Sequence, residues 1–394
     1  MDRTYDVMVA GHLCLDIIPR FPQTGARHIG DILRPGTLVE VKEAAICTGG
    51  PVSNTGIGLK RLGNTVCFNA QVGDDVLGAI TLDLLKRNGN AEGVHVVAGT
   101  ASSYTVALVP PGIDRIFLHN PGANNDYSAD DLDPALIAQC RHFHFGYPPL
   151  MRRIYENEGK ELQRVFRTAK EAGATTSCDM SLPDPASDSG KAPWLAILET
   201  VLPYVDIFLP SVEEALYMLE PDVFLRMKKA HQGADLIDVL TSEDYSRLAD
   251  KFLRLGARMA SLKSGHRGFY LKTGPASVLG EMGAARPGNP ANWANRELWC
   301  PAFSAPNLAS ATGSGDSSIA GFLAAFLRGL NVEDALKCAN CVGWQNVQVF
   351  DAVSGIHTWE ETLALLRQEM PMNELGITSP GWRWSAEHRL WIKQ

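Results

Sequence analysis

Between residues 141 and 219 short apolar runs alternate with amphipathic stretches. Strand-like segments at 142–145, 175–178 and 206–209 are each followed by a helix-like one, at 154–172, 194–202 and 212–219. Such alternation requires right-handed crossovers and a largely parallel sheet with helices on both faces. The first third carries the same signals less regularly, with strands at 7–10, 65–72, 94–97 and 104–109 and helices at 52–62 and 76–87. Residues 19–45 are too many and too polar for a simple strand-to-helix loop, and with residues 102–118 they are expected to form a small sheet standing off the main one. Residues 221–238 read as an elaboration, 242–255 as helix, 257–262 as strand, and 273–295, rich in Gly, Pro, Ala and Asn, as a long loop. Two strong helices follow. The tail from Pro371 carries Trp382, Trp384 and Trp391 and is expected to dock on the main domain or across a homodimer.

Charge and length narrow the functional classes. Lys and Arg number 36 against 44 Asp and Glu, a net charge of −8, which argues against a protein built to grip nucleic acid. At 394 residues the chain exceeds the roughly 250–300 that one core serves, so a large domain with something smaller is expected. No stretch approaches the ~18 uninterrupted apolar residues of a membrane span, and the opening residues lack a signal-peptide cleavage pattern, so a cytoplasmic protein is expected. Eight cysteines are scattered as reduced core thiols. The closest two, Cys338 and Cys341, fall mid-helix with no second pair to complete a metal or redox site.

The sharpest motif is Thr312-Gly313-Ser314-Gly315-Asp316, which opens a helix whose Ile319, Phe322, Leu323, Phe326, Leu327 and Leu330 follow helical spacing. A glycine loop ending at a helix N-terminus presents free N–H groups to an anion and lets a phosphate approach closely. A carboxylate there repels phosphate, which makes sense if Asp316 takes a proton from a hydroxyl attacking that phosphate. The same residues also suit a tight turn and a capping acid. A second motif is Gly49-Gly50-Pro51-Val52-Ser53-Asn54, where an Asn at a helix start offers a donor and an acceptor to polyol hydroxyls, or simply caps the helix.

In order and spacing these segments resemble the ribokinase-like (PfkB) carbohydrate kinase family, over nearly the whole chain up to about Leu366. The resemblance implies a three-layer α/β/α fold with a mostly parallel central sheet and a small β-sheet lid. It places a kinase domain at 1–370, lid segments at about 14–46 and 98–122, and a Trp-rich tail at 371–394. By that resemblance Asp316 is the catalytic base and Gly313, Ser314 and Gly315 form the anion hole. Asp16, Gly50, Asn54 and Tyr104 are expected to meet the substrate. Lys263, Gly265, Gly268 and Asn340 are expected to line the ATP site, and Glu214 to hold Mg²⁺ through water. Thr105 to Val109, Asp114-Arg115 and Pro121 to Asn124 look like lid and return strands.

Three departures accompany the match. Ser211 stands where the family usually has Asn in its Asn-x-x-Glu motif. Ser310 stands where the signature usually begins with an Asp tied to a monovalent-cation site, which weakens the expectation of K⁺ dependence. Gly146, before Tyr147, replaces an acid that some ribokinases set against substrate. The implied activity is ATP-dependent phosphorylation of a hydroxyl on a sugar or sugar-like molecule, with nucleic acid and membrane excluded as partners. A nucleoside kinase of the same fold and a noncatalytic sugar sensor are the alternatives. An oxidoreductase is disfavoured, because Val9 to Cys14 is no G-x-G-x-x-G fingerprint, and a Walker phosphate loop is absent.

Overall fold

Val7, Met8, Val9 and Ala10 are all fully buried, because their strand lies inside a sheet covered on both faces. The computed structural model describes residues 3–23, 25–113 and 116–394; Asp114 and Arg115, read above as part of the lid, lie outside the described residues. In chain order the strands are β1 (Tyr5–Gly11), β2 (Cys14–Pro19), β3 (Ala44–Gly49), β4 (Val66–Gly73), β5 (Asn90–Val97), β6 (Tyr104–Leu108), β7 (Ile116–Asn120) and β8 (Cys140–Gly146). They continue as β9 (Thr175–Asp179), β10 (Ile207–Phe208), β11 (Met259–Lys263), β12 (Phe269–Thr273), β13 (Glu297–Cys300), β14 (Trp382–Ser385) and β15 (Leu390–Lys393).

The main sheet has the order β14-β15-β13-β12-β11-β10-β9-β8-β1-β4-β5. Neighbours are parallel from β5 to β11, and β12, β13, β15 and β14 continue antiparallel. Alternation along β1 feeds two cores. Val7 and Val9 pack with the helices Pro51–Arg61, Ser314–Leu327 and Val332–Asn346. Met8 and Ala10 pack with Arg152–Glu171, Trp194–Val201, Val212–Leu219 and Ser242–Arg254. The expected three-layer α/β/α fold is therefore present, and among the described residues no helix is long and apolar enough to cross a membrane.

The small sheet has the order β3-β2-β6-β7, antiparallel at β2–β3 and β6–β7 and parallel at β2–β6. Its strands come from the flanks of the polar segment and not from its middle, where Pro22, Gly25, Gly30, Pro35 and Gly36 leave one helical turn at Ile29–Ile32. The loop at 273–295 carries two short helices, Ala276–Gly280 and Pro290–Trp293, and the second buries Trp293. The strands on either side of it, β12 and β13, were not among the expected strands. The Trp-rich segment extends the main sheet within its own chain: β15 pairs β13, and Trp382 is buried. All eight cysteines are free, and only Cys47 is not buried.

Strand order reverses at β1, from which the chain runs out to β4 and β5 and then returns to β8 on the other side. In open parallel sheets ligands bind outside the carboxyl ends of the strands at such a point. There Gly11 pairs with Gly146, and Gly146 with Asp179, bringing the ends of β1, β8 and β9 level.

Candidate active site

Asp316 lies in the first turn of the helix Ser314–Leu327, which starts from Gly313 in the left-handed conformation at φ 72°. A Cβ on Gly313 would also stand 2.5 Å from the Ala352 side chain, so backbone and packing both require glycine. The Asp316 side chain is buried. Asn54 Nδ2 donates to its Oδ2 at 2.9 Å, and the Tyr147 hydroxyl lies 3.1 and 3.0 Å from its two oxygens. Thr55 Oγ1 reaches Oδ1 at 3.5 Å. Burial pushes the carboxyl up; Asn54, the Lys263 charge, Tyr147 and Thr55 oppose that, and the net shift is upward.

Asn54 reaches this place because its helix begins at Gly50, whose φ of 82° carries the chain past His12; a Cβ there would stand 2.6 Å from the His12 carbonyl oxygen. Among the described residues Asn54 Oδ1 is buried without a hydrogen-bond partner, and so are both ring nitrogens of His12. Burial and the nearby His119 push the His12 pKa down to about 3, so its imidazole is neutral. Asp16, on β2, accepts from Cys14 Sγ at 3.3 Å. Burial pushes its pKa up to about 6 with help from the Asp316 charge, against hydrogen bonds from Cys14 and Thr105.

At the end of β11, Lys263 pairs with Asp179 at the end of β9. Burial acts to lower the Lys263 pKa, but Asp179, Glu214 and Asp316 outweigh it and hold the ammonium charged. Asp179 and Glu214 are both pushed up, first by burial and then by neighbouring carboxylates, with Lys263 opposing. Glu214 also accepts from Ser211 N–H at 2.6 Å while Ser211 Oγ accepts from Glu214 N–H at 3.2 Å. The pair forms a capping box at the start of the helix Val212–Leu219. Ser310 Oγ, at the second of the three departures, accepts from Thr312 N–H at 3.1 Å.

Two cavities meet here. One of about 680 Å³ is lined by Asp16, Gly50, Asn54, Tyr147, Glu214 and Asp316 among others. The second, of about 430 Å³, is lined by Gly265, Gly268, Phe303, Asn340 and Trp344 among others. Lys263, Gly265, Ser314 and Gly315 line both. Asn340 borders the second cavity with its Nδ2 given to the carbonyls of Cys300 and Pro301 at 2.9 and 3.0 Å.

Tyr104, expected to meet the substrate, lines neither cavity. Thr105 is in register with Asp16 on β2, lines the first cavity, and bonds His119 Nδ1 at 3.0 Å. Side chains alternate along a strand, so its neighbour Tyr104 faces the other way. The sequence reading passed over Tyr147, Asp179, His12, His119 and Thr55. The first three stand at carboxyl ends of parallel strands, and that position was the available signal.

Residues 6–359 match the model of the pfkB family carbohydrate kinases. The chain belongs to that family. An uncharacterized sugar kinase of Archaeoglobus fulgidus is 24% identical over 300 residues, 76% of this chain and 98% of that one. The 2-dehydro-3-deoxygluconokinase of Bacillus subtilis is 24% identical over 348 residues, 86% of this chain and 92% of its own. Among solved structures, Arabidopsis thaliana ribokinase complexed with ribose and ATP aligns over 94% of this chain and 100% of that one, with a TM-score of 0.68 at 18% identity. This carbohydrate kinase therefore phosphorylates a sugar-like substrate at the expense of ATP, and kinases of its family use ATP with Mg²⁺.

Proposed function

We propose that this kinase transfers the γ-phosphoryl group of ATP in line to a hydroxyl, a primary one, of a sugar-like acceptor held in the 680 Å³ cavity, with Asp316 as general base. The carrying observation is position: Asp316 lines the acceptor cavity directly after Gly315, which lines both cavities. Asn54 and Tyr147 aim the carboxylate, and Asp16 with the unpartnered Asn54 Oδ1 takes acceptor hydroxyls. Ser314 N–H is already donated to the Ala311 carbonyl at 3.3 Å, so Gly313 and Gly315 are the amides best supported for charge on the transferring group. Lys263 adds a cation beside Gly315, steadied by Asp179.

The oxygen donors suit Mg²⁺. Asp179 Oδ2 is buried without a partner, and among the described residues no three His, Cys, Asp or Glu side chains form a metal cage. A hard cation of this kind binds one or two carboxylates together with substrate phosphates. Glu214 and Asp179 would hold it, and when bound it would neutralise phosphate charge. Retention of Asp316 with its partners argues against a noncatalytic sensor.

The test is ADP release by the purified chain across sugars, sugar acids, sugar phosphates and nucleosides. Acceptor-dependent turnover with a sugar-like molecule supports the reading. ADP release that no acceptor accelerates, or turnover on nucleosides alone, contradicts it.

A further inference from the structure

We infer that the C-terminal segment, beyond the part of the chain that matches the family model, builds one wall of the nucleotide site, with Asn373 as the positioning residue. This rests on reading the 430 Å³ cavity as the site for ATP. The family match ends at residue 359, and Asn373 lines that cavity.

The Asn373 side chain joins two walls that are far apart in sequence. Its Nδ2 donates to the carbonyl of His266 at 2.8 Å, in the turn Gly265–Arg267 that follows β11. Its Oδ1 accepts from Ser304 Oγ at 2.8 Å, in the segment that follows β13. The backbone reinforces the second link: Asn373 N–H donates to Ala302 at 2.9 Å, and Ser304 N–H to Pro371 at 2.9 Å. Met372 packs against the buried cluster of Phe303, Cys341 and Met370, and Phe303 lines the cavity. The wall that would face a base and the turn that would face phosphates are thus fastened to each other through a residue outside the matched span.

A second connection runs through the hairpin. Arg389, in the turn between β14 and β15, donates to the Met370 carbonyl at 2.7 Å. Trp382 of β14 lies 6.4 Å, ring to ring, from Trp299 of β13. Trp299 Nε1 donates to the Arg267 carbonyl at 3.0 Å, and the Arg267 guanidinium stacks 4.8 Å from the Trp299 ring. The glycine turn is therefore held by Asn373 on one side and by the Trp299–Trp382 contact on the other. Binding linkage is reciprocal, so a nucleotide that needs this wall must in turn stabilise the hairpin.

The experiment uses the full chain and two readouts. Asn373→Ala removes both side-chain bonds while leaving the backbone ones. The Kd for ADP, by calorimetry, and the KM for ATP are expected to rise about 5–30-fold, as the loss of two hydrogen bonds at the cavity wall, one exposed and one half-buried, implies, with the acceptor KM near its parent value. Hydrogen exchange across residues 382–393 is expected to slow on adding ADP to the parent and not in the variant. Should Asn373→Ala fail to fold by circular dichroism, Ser304→Ala, which removes the donor to Asn373 Oδ1 and adds no charge, carries the same comparison. Nucleotide affinity unchanged in the folded variant, or acceptor KM raised equally, overturns the inference and leaves the kinase reading intact. A parent that binds no nucleotide overturns both.

Discussion

Asp316 is a buried carboxylate and Asp16 a half-buried one, and their partners separate their tasks. Asp316 is aimed by Asn54 and Tyr147, whereas Asp16 has a cysteine thiol and a cavity before it. The pKa of Asp16, pushed up to about 6 by burial, exceeds its unfolded value of about 3.9. The folded state therefore binds more protons, and the cost of burying this charge is full above about pH 6 and gone below about pH 4. Asp16→Asn is expected to raise Tm at pH 8, by at most about 3 kcal/mol of stability, and to lose that gain as pH falls to 4. A pH-independent change in Tm would show that its charge is not what costs stability. Lys263→Met should lower kcat by about 10²–10³-fold, the usual effect of removing one group that stabilises transition-state charge. A variant folded by circular dichroism whose kcat stays within about tenfold of the parent would remove Lys263 from the mechanism. Asp316 and Asn54 were legible in the sequence because each follows glycines at a helix start. Tyr147 and Asp179 were not, because what gives them meaning lies 169 and 84 residues away, at Asp316 and Lys263.

Elements converted this sequence into a site mainly through strand ends. β1, β8, β9 and β11 terminate at one edge of the sheet, and His12, Tyr147, Asp179 and Lys263 follow or close them. Strand-like runs alternating with helix-like ones disclosed these strands, including β9, whose Thr175-Thr176-Ser177-Cys178-Asp179 is mostly polar though buried. They did not disclose register, and register decides which side chain meets the acceptor. In β6 it is Thr105 that lines the acceptor cavity, one residue from the expected Tyr104. Thr105→Val is expected to raise the acceptor KM about fivefold, the worth of one hydrogen bond near 1 kcal/mol, while Tyr104→Phe leaves it unchanged. The reverse order of effects would mean that the small sheet pairs in another register during turnover. The hairpin β14–β15 was legible only as a tryptophan cluster, because its pairing with β13 joins residues about 90 apart in sequence.

Over the whole molecule, a parallel sheet whose order reverses at β1 presents one crevice, and two cavities share it at Lys263, Gly265, Ser314 and Gly315. The fold class was legible from strand–helix alternation, and the chemistry from one glycine loop with an acid after it. The identity of the acceptor was not, since it depends on side chains that the small sheet and the main sheet bring to the cavity from opposite sides. The measurement that bears most directly on the proposed mechanism is kcat for Asp316→Asn with the best acceptor of the parent enzyme. Size and most hydrogen bonding are kept and a buried charge is removed, so Tm should hold or rise and both KM values should stay near those of the parent. General-base catalysis is worth about 10²–10⁴-fold, and a kcat loss in that range is the predicted result; a folded variant that works within about tenfold of the parent would show that Asp316 does not take the proton.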